Sequence, residues 1–330
     1  MATGFGYVVK GVGGLYTVRL LTSASPLVPQ PYTPGLWDGQ TVTARGRGSL
    51  RQSGLLVGDL VEVTYDPSAG RDPLSADGGG VSVDRVLPRR SALIRPPVAN
   101  LDYLFATLAA AAPDPDLETT DKLLCIAVHN GIAPVVVVNK CDLDPASADR
   151  LAAIYTAAGF PVFRTVGATG EGLAALAAYI ASALPGKLAA FAGASGVGKS
   201  TVLGRLFPSA DLATGSISAR IARGKNTTRH VEILPLDPSD PATGYLADTP
   251  GFTMLDFDRF DFFGLDDLAA TFPEFAPYLG ACRYSDCTHT GESASDCAVR
   301  AAVRSGAIPL SRHRTYCTLY EILKKKPFWK

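Results

Sequence analysis

Eight residues constrain this chain more than any others: Gly193-Ala194-Ser195-Gly196-Val197-Gly198-Lys199-Ser200 is a complete GxxxxGK[ST] loop. It follows the apolar run Leu188–Ala192 and precedes a helical stretch opening at Thr201. The loop therefore stands between the carboxyl end of a buried strand and the amino end of a helix. There the glycines let backbone N–H groups wrap a β-phosphate, and the helix N-terminus adds partial positive charge. Lys199 is expected to bridge β- and γ-phosphates, and Ser200 to hold Mg²⁺. That setting belongs to an α/β layer fold, and the run Pro134–Val138 reads as another buried parallel strand of it.

A phosphate cradle leaves the base open. Asn139-Lys140-Cys141-Asp142 ends the second apolar run with the NKxD pattern, in which the Asp accepts two hydrogen bonds from guanine N1 and N2. Adenine lacks that donor pair. Gly167 and Ala168, in the turn 166–170, offer a backbone N–H for guanine O6. Asp248-Thr249-Pro250-Gly251 follows the strand Tyr245–Ala247 as a DxxG, Asp248 for Mg²⁺ and Gly251 for the γ-phosphate. Asp-x-Pro-Gly is also an ordinary tight turn. Between these motifs lies Arg223–His230, where a switch loop supplies a threonine to Mg²⁺ and the γ-phosphate; Thr228 is favoured over Thr227.

The order of the motifs is itself informative. NKxD (139–142) and the 166–170 turn precede the phosphate loop (193–200), the switch run (223–230) and DxxG (248–251), the reverse of the usual arrangement. The central domain, 91–270, is therefore expected to be a circularly permuted α/β P-loop domain. In front of it, Tyr16-Val18-Leu20, Val61-Val63-Tyr65 and Val81-Val83 alternate with polar residues. Short strands without a helix predict a small all-β barrel over 1–90, with a β-sandwich fragment as the alternative. No internal repeat is evident, and no low-complexity tract beyond the Ala-rich 106–112.

Behind the central domain, Cys282, Cys287, His289 and Cys297 supply three thiolates and an imidazole within 16 residues. That is a closed tetrahedral donor set for one structural Zn²⁺. Six cysteines in 330 residues are too sparse for a disulfide framework. Cys317 is a reserve ligand, while Cys125 and Cys141 read as structural. Helical segments near 297–304 and 309–324 complete a mainly α module over 271–330.

The net charge of zero hides a segmentation: residues 1–90 carry 9 basic and 7 acidic side chains, 91–274 carry 13 and 20, and 275–330 carry 9 and 4. Basic flanks around an acidic centre leave a polyanionic partner open. No run of roughly 18 apolar residues marks a membrane span.

This set of features resembles the bacterial ribosome small-subunit-dependent GTPase A family over nearly the whole chain. Local matches are Gly58-Asp59, Arg85-Val86-Leu87-Pro88-Arg89-Arg90, Arg95-Pro96-Pro97 and Val98-Ala99-Asn100-Leu101-Asp102. The resemblance implies an OB-fold N-terminal domain and a GTP/GDP site. It further implies slow GTP hydrolysis stimulated by the 30S subunit, and a late role in 30S maturation with 16S rRNA as partner. A cytoplasmic monomer without membrane contact is expected. The family also has zinc ligands at the four Cys/His positions, but with five residues between the His and the last Cys where this chain has seven.

Two departures bear on catalysis. A water-positioning Gln commonly follows DxxG; Phe252 stands there, as is usual in the resembled family. That family usually has a His before the switch threonines, and this chain has Asn226. The expected catalytic group is drawn from Lys199, Thr228, Asn226 and His230, the last reading equally well as the start of the strand 230–236. Arg45, Arg47, Arg51, Arg312, Arg314 and Lys324–Lys326 are candidate phosphate contacts. Two other readings stay open: an NTPase acting on a small molecule, and an RNA-binding module whose nucleotide site is only structural.

Overall fold

The computed structural model describes residues 2–21, 39–48, 50, 54–65, 80–208, 231–237, 240–248, 257 and 259–326. The chain forms two compact units: residues 1–103, 179–190 and 207–251 make one, and 104–178, 191–206 and 252–330 the other. Among the described residues no helix is long and apolar enough to cross a membrane.

In the first unit, β1 (Ala2–Val12), β2 (Leu15–Leu20), β3 (Thr41–Gly46), β4 (Leu60–Tyr65) and β5 (Val81–Val86) run in the order β1-β2-β3-β5-β4. β1 pairs back onto β4, from Ala2 opposite Tyr65 to Tyr7 opposite Leu60. One closed sheet results, an OB-like barrel and not a sandwich. Closure removes the free strand edges that would otherwise invite pairing with another chain. The alternation seen in the sequence decides what faces in: Val18, Val42, Val61, Val63, Val81 and Val83 are buried together.

The segment leaving the barrel is tied back by ionic and amide contacts. Asp59, wholly buried, accepts from Arg89 Nε at 2.7 Å and Nη2 at 2.8 Å, and from the Leu56 N–H at 2.8 Å. This is the bidentate geometry in which Arg–carboxylate pairs are strongest. Between β6 (Ala92–Leu93) and β7 (Val98–Ala99), which pair with each other, and the next strand lies Asn100. Asn100 donates to the Gly58 carbonyl at 2.8 Å and accepts from the Arg90 N–H at 2.9 Å. Asp102 pairs with Arg90 and accepts from the Leu188 N–H at 2.9 Å, which fixes the barrel exit to β11 (Leu188–Ala192). Strand β13 (Tyr245–Asp248) lies parallel to β11, β12 (Glu232–Pro235) is antiparallel to β13, and β12 meets β1 where Lys10 pairs with Glu232 at 3.0 Å.

In the second unit, β8 (Tyr103–Ala109), β9 (Ala133–Asn139) and β10 (Val162–Arg164) are neighbours, β9 and β10 parallel. Val135–Asn139 are all buried, as expected of a strand covered on both faces. Helix α1 (Leu117–His129) starts where the Asp116 carboxylate accepts from the Thr119 N–H, and α2 (Pro145–Ala157) where Asp144 does the same for Ser147. Both are side-chain N-caps of the usual Asp type. Helix α3 (Leu173–Ala183) carries the chain onward, and α4 (Lys199–Leu206) follows the phosphate loop.

The C-terminal segment, with α5 (Ala298–Ser305) and α6 (Leu310–Lys324), belongs to this same unit and packs on α1. Its anchor is Arg312, one of the candidate phosphate contacts of the sequence. The structure overturns that reading: the side chain is 0% exposed. Nη1 donates to Asp121 Oδ1 of α1 at 2.8 Å and Nε to Glu274 Oε1 at 2.7 Å, with the guanidinium over the Phe272 ring at 4.6 Å. Other candidate cations are partly engaged as well: Arg47 with Asp84 at 2.6 Å, and Lys326 with Asp261 at 3.0 Å. Arg51 lies outside the described residues.

Removing one partner of a buried ion pair leaves uncompensated charge. Arg312→Met, which strands the Asp121 and Glu274 carboxylates, is expected to destabilise the chain by about 3–5 kcal/mol. Urea unfolding of both proteins checks this; a loss no larger than that of an exposed Arg314→Met control would refute the anchoring role.

Candidate nucleotide site and Cys/His cluster

The phosphate loop has the backbone its sequence demands. Gly193 and Gly198 sit at φ +141° and +93°. A Cβ at Gly193 would lie 2.0 Å from the Thr107 carbonyl oxygen, and one at Gly198 2.3 Å from Asn139 Nδ2. Only glycine is tolerated at such points. Lys199 Nζ donates to the Gly193 and Ala194 carbonyls at 2.8 Å each, so the lysine lies folded along its own loop. Burial lowers its pKa from the ordinary lysine value. An arriving phosphate replaces two neutral carbonyl partners with a charged one, and strengthens the ammonium's hydrogen bonds. Ser200 is exposed at the start of α4, with Thr201 beside it.

The guanine-reader motif is joined to this loop by one buried side chain. Asn139 donates from Nδ2 to the Val197 carbonyl at 2.9 Å, while its Oδ1 accepts from the Gly167 N–H at 2.9 Å and the Thr165 hydroxyl at 3.1 Å. Residues 139, 167 and 197, far apart in sequence, thus meet at a single amide. Lys140, at φ +58°, reaches across Gly198 to the Ala112 carbonyl. Asp142 is exposed, and Arg205 of α4 holds the Ala168 carbonyl. Nothing in the sequence pattern singles out Thr165, Arg205 or Ala112, because each acts through a backbone group or through Asn139. Asp248 ends β13, opposite Glu232, in the other unit. Thr228, Asn226, His230 and Gly251 lie outside the described residues.

The four cysteine and histidine residues converge within the second unit. Their ligand atoms all lie within 4.8 Å of one another. His289 Nδ1 is 3.6, 3.4 and 3.5 Å from the sulfurs of Cys282, Cys287 and Cys297, and Cys282 Sγ is 3.9 Å from Cys297 Sγ. A tetrahedral Zn²⁺ bound at ordinary bond lengths requires S···N edges of about 3.6 Å and S···S edges of about 3.8 Å. The donor set therefore fits that ion in both chemistry and size. Cys297 also caps α5, its sulfur accepting from the Arg300 N–H at 3.4 Å. Cys317 is outside the cluster, 3.9 Å from the ring nitrogens of His313. His313 Nε2 in turn donates to the His289 carbonyl at 2.8 Å.

The seven-residue spacer closes on itself. Glu292 accepts from the Thr288 N–H at 2.7 Å, the Thr288 hydroxyl at 2.8 Å and the Gly291 N–H at 3.2 Å. Desolvation would raise its pKa, but its own backbone N–H and these donors outweigh it and hold the carboxyl at about 2. Asp296 pairs with Arg283 at 3.1 Å. The extra length is taken up by a loop with its own hydrogen bonds, and Cys297 still reaches the cluster.

A glycine phosphate cradle locked to an NKxD turn, with its motifs in permuted order, defines the class: a circularly permuted P-loop GTPase carrying a Cys/His module. Comparison with known proteins narrows it. The RsgA GTPase family model matches residues 86–258. A protein of Alkaliphilus metalliredigens, named small ribosomal subunit biogenesis GTPase RsgA, is 35% identical over 97% of this chain and 98% of its own length. Its namesake from Moorella thermoacetica is 38% identical over 87% and 91%. The crystal structure of YjeQ from Thermotoga maritima superposes with a TM-score of 0.74 at 28% identity, covering 98% of this chain and 100% of that one. The crystal structure of YloQ, described as a circularly permuted GTPase, gives 0.69 at 26% over 99% and 97%. The chain belongs to the RsgA GTPase family, and guanine nucleotide is its ligand class.

Asn139→Ala deletes the amide and leaves the Val197 carbonyl and Gly167 N–H unpaired in the interior. A stability loss of about 1–3 kcal/mol is expected. GDP affinity should fall with it although the alanine touches no phosphate. Urea unfolding and calorimetric GDP titration read the two effects, and unaltered GDP binding would rule out the joining role.

Proposed function

We propose that this chain is a cytoplasmic, monomeric GTPase that acts on the 30S ribosomal subunit late in its maturation, binding 16S rRNA and turning over GTP rapidly only when bound there. The observation that carries the reading is the Asn139 amide, which holds guanine reader, O6 turn and phosphate loop in one arrangement. Relatives sharing a third of their residues over nearly the full chain, and named for small-subunit biogenesis, support the partner.

In this reading Asp142 accepts from guanine N1 and N2, and the 167–168 backbone serves O6. The backbone of Gly193–Gly198 and the Thr201 end of α4 hold the phosphates. Lys199 leaves the Gly193 and Ala194 carbonyls for the β- and γ-phosphates. Ser200, Thr228 and Asp248 are the residues that would hold Mg²⁺, which would neutralise charge developing on the phosphates, and Gly251 would meet the γ-phosphate. Phe252 cannot orient a water, so slow intrinsic turnover follows, and the subunit completes the site. Asn226 and His230 are the side chains offered to the attacking water; Asn226 hydrogen-bonds without titrating near neutral pH, whereas His230 can titrate. Barrel (1–90), permuted GTPase (91–270) and zinc module (271–330) divide the labour. The four Cys/His donors hold one structural Zn²⁺, leaving no position for catalysis.

Two experiments test this. GTP turnover of the wild type should rise by at least about tenfold on adding purified 30S subunits, and Asn226→Ala or His230→Ala should remove most of that rise. Equal rates with and without subunits would instead favour an NTPase with a small-molecule substrate. Zinc content should be one ion per chain, falling well below one in Cys297→Ser together with a lower melting temperature. Full zinc in that variant would exclude Cys297 as a ligand.

A further inference from the structure

The Ala-rich stretch that the motifs leave unexplained ends in a turn that touches both halves of the nucleotide site. After β8 the Ala110 N–H donates to the Asn139 carbonyl at 2.8 Å. Two residues on, Ala112 is exposed with φ +48°, a left-handed conformation that alanine rarely adopts. Its carbonyl receives Lys140 Nζ. Pro113 then lies against the phosphate loop, its Cδ 3.7 Å from where a Cβ on Gly196 would stand. Lys140 itself spans the gap, its Cε 3.8 Å from the corresponding point on Gly198.

We infer that Ala112 is a positioning residue for the guanine nucleotide: its strained backbone aims a carbonyl at Lys140 and so stretches that lysine's stem across the phosphate loop as a fixed flank of the base site. The inference rests on the assignment of Asn139–Asp142 as guanine reader. If Asp142 accepts from the base edge, the base lies beside residue 140, and the four-carbon stem is apolar surface available to its face. An untethered lysine stem samples many rotamers, and ordering it on binding costs affinity. The Ala112 carbonyl meets that cost in advance. Non-glycine residues held in the left-handed region are strained, and such strain persists where the surroundings over-determine it. Here the over-determining contacts are the Asn139 carbonyl on one side and Gly196 on the other. The site is therefore walled by a turn with no nucleotide motif of its own.

A double-mutant cycle on the full chain tests this, with GDP affinity measured calorimetrically for wild type, Ala112→Val, Lys140→Ala and the double variant. Valine is β-branched and rejects positive φ, so the turn must rearrange and GDP affinity is expected to drop about tenfold. In the Lys140→Ala background the same change should cost less than about twofold, because the group it positions is gone. In turnover, Ala112→Val should raise the GTP KM while leaving kcat within about twofold of the wild type. Ala112→Gly admits the conformation and should recover most of the affinity lost with valine, which separates positioning from simple misfolding. Additive losses in the cycle, or a glycine variant as weak as the valine one, would overturn the inference. Unaltered GDP affinity in both Lys140→Ala and Asp142→Ala would instead sink the underlying guanine-reader assignment.

Discussion

One buried amide organises the nucleotide half of this protein. Asn139 ends an all-apolar strand, and its side chain makes three hydrogen bonds to other segments: to the Val197 carbonyl, the Gly167 N–H and the Thr165 hydroxyl. A polar group in that position is costly unless fully paired. Since its partners come from two stretches far from it in sequence, 165–167 and 197, satisfying it forces those stretches onto the end of β9. The tight glycine backbone of the phosphate loop follows, because Asn139 Nδ2 occupies the space that any side chain at Gly198 would need. Motif residues with no sequence proximity are thus held by a constraint that is local in space.

The same logic explains which parts of the molecule were legible in the sequence. Strand alternation in Val61-Glu62-Val63-Thr64-Tyr65 marks a half-buried strand, and five such strands can close only in a few ways. The closed OB-like barrel is one of them. The apolar runs 134–138 and 188–192 similarly mark parallel strands, and the P-loop marks the turn after one. Cysteine spacing singled out four candidate donors, and the structure brings them together at distances that fit a tetrahedron. The motifs Gly58-Asp59, Arg89-Arg90 and Asn100-Leu101-Asp102 were visible only as a family likeness. Their physical content, a bidentate pair at Asp59 and amide bridges at Asn100, needed the fold.

What the sequence concealed was polar and long-range. Arg312 sits in a basic C-terminal segment, where charge counting assigns it to solvent or to a polyanion. Nothing local indicates that Asp121, 191 positions earlier, shares its pocket. A buried guanidinium needs carboxylates, and the chain supplies two, Asp121 and Glu274, together with an aromatic face. Thr165, Arg205 and Ala112 escaped notice for the related reason that they act through backbone carbonyls or through another side chain, which no composition or spacing rule records.

Arg312 also changes the meaning of the charge distribution. Residues 275–330 hold five more basic than acidic side chains, but this guanidinium is consumed internally by Asp121 and Glu274, while Arg283 and Lys326 face Asp296 and Asp261. Long-range attraction for a polyanion depends on charges that remain in solvent, since a buried, neutralised pair contributes little field outside the protein. Arg314, Lys324 and Lys325, all exposed on or just after α6, therefore carry more of any phosphate-directed field than the count suggests. The helix that presents them is the one Arg312 fastens to α1. An interior ion pair so costly to desolvate is retained where it fixes one arrangement among several. Here it fixes the orientation of a basic helix on the unit that holds the phosphate loop.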